Sequence, residues 1–211
     1  MSHSAPRLTV RSAAEMLYLP AHLQERIIHD QKYPKKEPQR FKTPYYQPVI
    51  NGIRRYYRSG NDLSVLASIR NDLANIHDQA RRENNERALA SFENSSMVRR
   101  RLEPQPNARY SARIGSVELK LSADLQAIER SDLKFIYFNC RNVAVSEQVS
   151  NAILEIGYWV LRENGLDVSI DQLEFVDLFD RRITRRSKVR KKTLTTLRDN
   201  SRIIEILWNN V

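Results

Sequence analysis

Between Arg181 and Lys192 the chain carries eight basic side chains and no acid: Arg181, Arg182, Arg185, Arg186, Lys188, Arg190, Lys191 and Lys192. Guanidinium forks and ammonium groups at this density can grip a phosphate backbone, each neutralised phosphate releasing counterions. Their other use is to offset Asp171, Glu174, Asp177 and Asp180 just upstream. A second basic segment, Ile53-Arg54-Arg55-Tyr56-Tyr57-Arg58, mixes cations with rings on which bases could stack. The same residues read as an amphipathic helix with Ile53 and Tyr57 inward and Arg54, Arg55 and Arg58 outward. Glu83 and Glu86, three apart, can offer a carboxylate to a metal or pair with Arg82 and Arg87 on a wet surface. In Glu118-Leu119-Lys120 a spacing of two puts acid and lysine on one face of a strand, which is also how a solvated strand face looks. Cys140 ends an apolar run and reads as a small core residue, with no histidine near it in sequence. His22 and His29 share a helical face but lack further metal ligands.

Composition narrows what such residues can serve. In 211 residues, 35 Lys and Arg face 25 Asp and Glu, a formal charge of +10 that favours a polyanionic partner. At 41% hydrophobic and 28% charged, the chain can bury a core and fits one domain with a helical annex, or two small domains. The five glycines are too far apart for G-x-G-x-x-G or a Walker loop, which excludes nucleotide cradles of those types. A single cysteine excludes an internal disulfide and a cysteine-based zinc site. No apolar run approaches the roughly 20 residues of a membrane span, and MSHSAPRLTV lacks a signal-peptide core. The expectation is a soluble cytoplasmic protein without a membrane partner.

The elements that must position these residues follow from periodicity. Ser12 can cap a short helix stopped at Pro20, and a second helix runs from Ala21 to Gln31. KYPKKEPQRFKTP reads as an exposed loop. Tyr46, Val49, Ile50, Ile53 and Tyr57 give a helix ended by Gly60. Leu66, Ile69, Leu73 and Ile76 give another, continuing more weakly to Phe92. The polar stretch Glu93 to Asn107 marks a boundary, after which the period becomes twofold. Strands are expected at Val117–Leu121, Leu125–Ile128, Lys134–Cys140 (apolar on both faces, hence central) and Leu173–Phe179. A helix through Val149 to Val160 precedes the fourth strand, and a last helix buries Leu194, Leu197, Ile204 and Leu207 beside Trp208.

That order resembles the core of the PD-(D/E)XK nuclease-like superfamily, and most closely an uncharacterised proteobacterial group carrying it. The similarity rests on R-R-E-N-N-E-R-A at Arg81 to Ala88, S-A-D-L at Ser122 to Leu125, and E-F-V-D-L-F-D-R-R-I at Glu174 to Ile183 before the final helix. The resemblance implies an α+β, sandwich-like αβββαβ core over residues 105–211, a helical N-terminal region over 1–95 packing on it, and a C-terminal helix. In that superfamily an aspartate on the second core strand and an acid on the third hold magnesium, and a lysine two residues beyond the acid serves the attacking water. Asp124 matches the aspartate, with Ala123 in place of the usual proline. On the third strand the matching positions fall within Tyr137 to Cys140, where neither carboxylate nor lysine occurs.

The resemblance thus implies the fold and argues against the reaction. The leading expectation is a catalytically degenerate nuclease-like protein, without cofactor or metal, that binds DNA or RNA through the 181–192 run and the Arg54, Arg55 and Arg58 face. A second is a protein-interaction or structural subunit of a phage, plasmid or defence complex. A third is a magnesium-dependent DNA endonuclease with a displaced site built from Asp124, Glu118 and Lys120, with Glu103 or Glu83 as further carboxylates. Tyr137 and Asn139 are expected where an active relative places its acid and lysine.

Overall fold

The computed structural model describes residues 5–33 and 44–210, so most of the expected KYPKKEPQRFKTP loop lies outside the described residues. In the N-terminal half, β1 (Arg7–Thr9) leads into α1 (Val10–Met16) and α2 (Ala21–Lys32). There follow α3 (Gln47–Arg58), α4 (Leu63–Ala74) and α5 (Gln79–Glu93). Strands β2 (Glu103–Pro104), β3 (Tyr110–Ile114), β4 (Val117–Leu121), β5 (Leu125–Glu129) and β6 (Asp132–Asn139) come next. The chain ends with α6 (Glu147–Glu163), β7 (Leu173–Asp177), β8 (Arg182–Thr184) and α7 (Lys191–Asn210). Among the described residues no helix is long and apolar enough to cross a membrane.

The fold is mixed α/β with two sheets. One has the order β2-β5-β6-β7-β8, antiparallel except for the parallel pair β6 and β7, which α6 connects. The other has the order β1-β4-β3, with β1 parallel and β3 antiparallel to β4. Two apolar layers sandwich the five-stranded sheet. Phe135 and Tyr137 join α1, α6 and α7 in one, while Ile136 and Phe138 join α3, α4 and α5 in the other. Opposite faces of a strand meet different layers because successive side chains alternate, so β6 is apolar throughout.

Several expectations are revised. The strand at Val117–Leu121 does not pair with Leu125–Ile128; it pairs with the three-residue β1 and with β3, whose Tyr110, Ala112 and Ile114 alternate with Ser111 and Arg113 and which is not among the expected strands. Residues 7–16 accordingly belong to the layer around α6 rather than to the helical half. The first helix is capped by Thr9, whose side chain accepts from the Ser12 N–H, and not by Ser12. The long helix expected from Leu66 to Phe92 is two helices, because Asp78 caps a new start by accepting from the Arg81 N–H. Close packing of α6 depends on Gly157, where a Cβ would stand 3.1–3.4 Å from Leu173, the Tyr137 hydroxyl and Leu121.

Arg81 and Asn85, from the R-R-E-N-N-E-R-A segment, are buried joinery. Arg81 donates to the carbonyls of Pro44 and Tyr45; Asn85 donates to Tyr45 O and accepts from Val49 N at the start of α3. Glu83 is exposed on α5 and accepts from Gln79. Cys140 is buried, and burial pushes its thiol pKa up, which keeps it protonated and unreactive.

Candidate functional site

Asp124 sits at the entrance to β5, where three elements meet. Its Oδ2 accepts from the Phe138 N–H of β6 at 2.7 Å and from Arg11 Nη2 of α1 at 3.2 Å. Arg11 also donates to the Phe138 carbonyl at 2.9 Å. From the helical layer, Arg54 Nε donates to the Asp124 carbonyl at 2.7 Å, so Arg54 does not lie on an outward face as the helical period implied. Burial lowers the Arg54 pKa, nearby Arg58 adding to this and the Asp124 charge opposing it.

Beside Asp124 opens a cleft of about 550 Å³. The structure brings Asp124, Glu118 and Lys120 together in its lining; Glu83 and Glu103 are not part of it. Arg11, Arg109 and Tyr110 also line it, with Tyr137 completing the wall from β6. Glu118 is paired with Arg7 at 2.9 Å, so both carboxylates of the cleft are held by guanidinium groups. No group of three or more His, Cys, Asp or Glu that could hold a metal ion occurs among the described residues. Tyr137 is 3% exposed, its hydroxyl has no hydrogen-bond partner among the described residues, and burial raises its pKa, with Asp124 adding to the effect and Arg11 opposing it. Asn139 lies at the end of β6 and donates to Val143 O and Asp177 Oδ1. Asp177, also buried, accepts from the backbone N–H groups of Val145, Phe179 and Asp180 and so ties two loops together.

The basic run divides. Arg185 Nε donates to buried Glu174 at 2.9 Å, and Arg186 Nη2 lies 3.2 Å from buried Glu155. Glu155 also accepts from the Thr193 hydroxyl and the Arg190 N–H, anchoring the first turn of α7 to α6. Both arginines thus engage buried carboxylates, Arg185 from an exposed position and Arg186 from a mostly covered one. Arg182 donates to the Val145 carbonyl but remains exposed, as do Arg181, Lys188, Arg190, Lys191 and Lys192. On α3, Arg55 is taken up by Asp72 at 2.7 Å and Arg54 by the Asp124 carbonyl, which leaves Arg58 as the one of the three helix arginines without a hydrogen-bond or ion-pair partner among the described residues.

Arg58 faces a groove that the sequence did not announce. Arg101, Arg130 and the edge strand at Glu103 and Pro104 line it too, with Ile128 at its floor. Arg58, Arg101 and Arg130 are exposed and have no ion-pair partner among the described residues; Glu103 is the only carboxylate in the lining. Arg130 and Ser131 form the two-residue link between β5 and β6, both with positive φ (50° and 74°) as a type I′ turn requires. The run Arg99-Arg100-Arg101 was the available signal, but it is mixed in role. Arg100 is buried between Glu129 and Glu174, bridging both carboxylates.

No protein-family model, no curated protein and no solved structure matches this chain.

Proposed function

We propose that this chain is a nuclease-like α/β protein that holds nucleic acid on a basic surface without cutting it. The antiparallel pair β5 and β6, followed by α6 and a β7 parallel to β6, supports the PD-(D/E)XK reading, although β4 pairs elsewhere. The observation that carries the binding half is the convergence of Arg58, Arg101 and Arg130 on one open groove with a single carboxylate. Unpaired guanidinium groups from three separate elements repel one another, and phosphates relieve that repulsion while making charge-assisted hydrogen bonds. Exposed Arg181, Arg182, Lys188, Arg190, Lys191 and Lys192 extend the positive surface.

The reading as a magnesium nuclease draws on one observation: Asp124, Glu118 and Lys120 line the same cleft. The donor set does not fit the ion. One oxygen of each carboxylate is already taken, Asp124 Oδ2 by Arg11 and the Phe138 N–H and Glu118 Oε2 by Arg7, and the two guanidinium groups beside them repel a further cation. At positions 137 and 139 the third strand offers a buried tyrosine and an asparagine already bonded to Asp177.

Fluorescence anisotropy of a labelled oligonucleotide tests the proposal. Arg101→Glu and Arg130→Glu should each weaken binding tenfold or more, roughly independent of base sequence. Arg162→Gln, at an exposed arginine paired with Asp167, should leave it unchanged. Absence of binding at low salt, or equal loss in all three variants, overturns the reading.

A further inference from the structure

The groove gives no role to the cleft beside Asp124, whose lining is built for a different ligand. Two rows of side chains cross its outer sheet face. In the register of β1, β4 and β3, Glu118 stands between Arg7 and Arg113, and one step along Lys120 stands between Thr9 and Ser111. The first row closes on itself through the Arg7–Glu118 pair. The second presents an ammonium flanked by two hydroxyls, and Lys120 has no acidic partner among the described residues. Arg109, exposed and equally without an acid, stands in the same lining.

These groups suit a tetrahedral oxyanion. A lysine supplies a point charge, an arginine supplies a planar fork, and hydroxyls donate to the remaining oxygens. Arg11 and Arg7 neutralise the two carboxylates that would otherwise repel an anion. Tyr110 supplies a ring at the wall, held edge-on by Phe135 with centroids 6.2 Å apart. On the inner side Tyr137 closes the wall, its hydroxyl lying in the core against Gly157 of α6. A volume of about 550 Å³ is larger than a bare phosphate needs and falls in the range of small-molecule sites.

We propose that this cleft binds a phosphate monoester of mononucleotide size, with Lys120 and Arg109 on the phosphate and Tyr110 beside the organic portion. The site needs no divalent ion, because the protein's own cations supply the charge.

Isothermal titration with adenosine 5′-monophosphate, adenosine and inorganic phosphate, all in EDTA, tests this. The monophosphate should bind, adenosine should bind at least about tenfold more weakly, and inorganic phosphate should compete with the monophosphate. Lys120→Ala and Arg109→Ala should each cost about tenfold in affinity, both positions being exposed enough for the fold to survive. Arg101→Glu should keep monophosphate affinity while losing the oligonucleotide, so the cleft and the groove can fail separately. No binding of the monophosphate at millimolar concentration overturns the inference, as does affinity that survives intact in both Lys120→Ala and Arg109→Ala.

Discussion

Arg100 shows what burial does to a charged side chain in this chain. Its guanidinium, 11% exposed, is shared by Glu129 and Glu174, and Arg185 closes on Glu174 from the far side. Removing one partner of a buried pair costs about 3–5 kcal/mol, because the other charge stays buried without compensation. Arg100→Met should therefore lower stability by that order in urea unfolding, whereas Arg70→Met, at a mostly exposed arginine paired with Glu93, should change it by under about 1 kcal/mol. The pair also sets an acid limb. Hydrogen bonding to Arg100 holds Glu129 below the ordinary glutamate value of 4.5, burial opposing and the Arg100 charge assisting. A depressed folded pKa gives stability that is complete above 4.5 and is lost as pH falls through the folded value. Unfolding midpoints taken from neutral pH down to about pH 3 should fall along that limb, and the fall should be shallower in Arg100→Met.

The β5–β6 link carries its own prediction at the scale of an element. Arg130 and Ser131 occupy the left-handed region, where residues with a Cβ pay roughly 1–2 kcal/mol and glycine does not. Ser131→Gly should stabilise the protein by about 1 kcal/mol, with oligonucleotide affinity unchanged. Arg130→Asn should stabilise less and weaken binding, because it removes a groove cation along with part of the strain. Paired melting and anisotropy measurements separate the two. If Ser131→Gly lowers the melting temperature, the turn is not the strained link its φ angles describe.

For the whole molecule, charge sets the expected salt response. With phosphates at Arg58, Arg101 and Arg130 alone, the logarithm of affinity should fall with the logarithm of salt at a slope of about −2.7, steeper if the exposed members of the 181–192 run take part. Each Arg→Glu change in the groove should reduce that slope by about 1 or more. Incubation with plasmid or single-stranded DNA in magnesium or manganese buffer should give no cleavage. Cleavage that disappears in Asp124→Ala would show that the carboxylate leaves Arg11 to take a metal. Cleavage indifferent to that change would point to a contaminating nuclease.

Local pattern determined much of this protein. Period 3.6 placed α3, α4 and α6, and period 2 placed β4. The doubly apolar run at Phe135 to Phe138 identified the central strand, since a strand covered on both faces has no polar side to show. That Tyr137 to Cys140 carry neither carboxylate nor lysine was legible as well, although Asp132 and Lys134 stand two apart at the start of the same strand. Which cations are free was not. Arg54, Arg55, Arg185 and Arg186 look like Arg58, Arg101 and Arg130 in sequence, and only long-range packing assigns the first four to Asp124, Asp72, Glu174 and Glu155. The short strands β1, β2 and β8 carry too few residues for a period to register; they exist because a neighbouring strand offers unpaired backbone groups. The cleft belongs to tertiary structure for the same reason: Thr9, Ser111, Lys120 and Tyr137 are as much as 128 residues apart in the chain, and strand register and helix packing put them around one space.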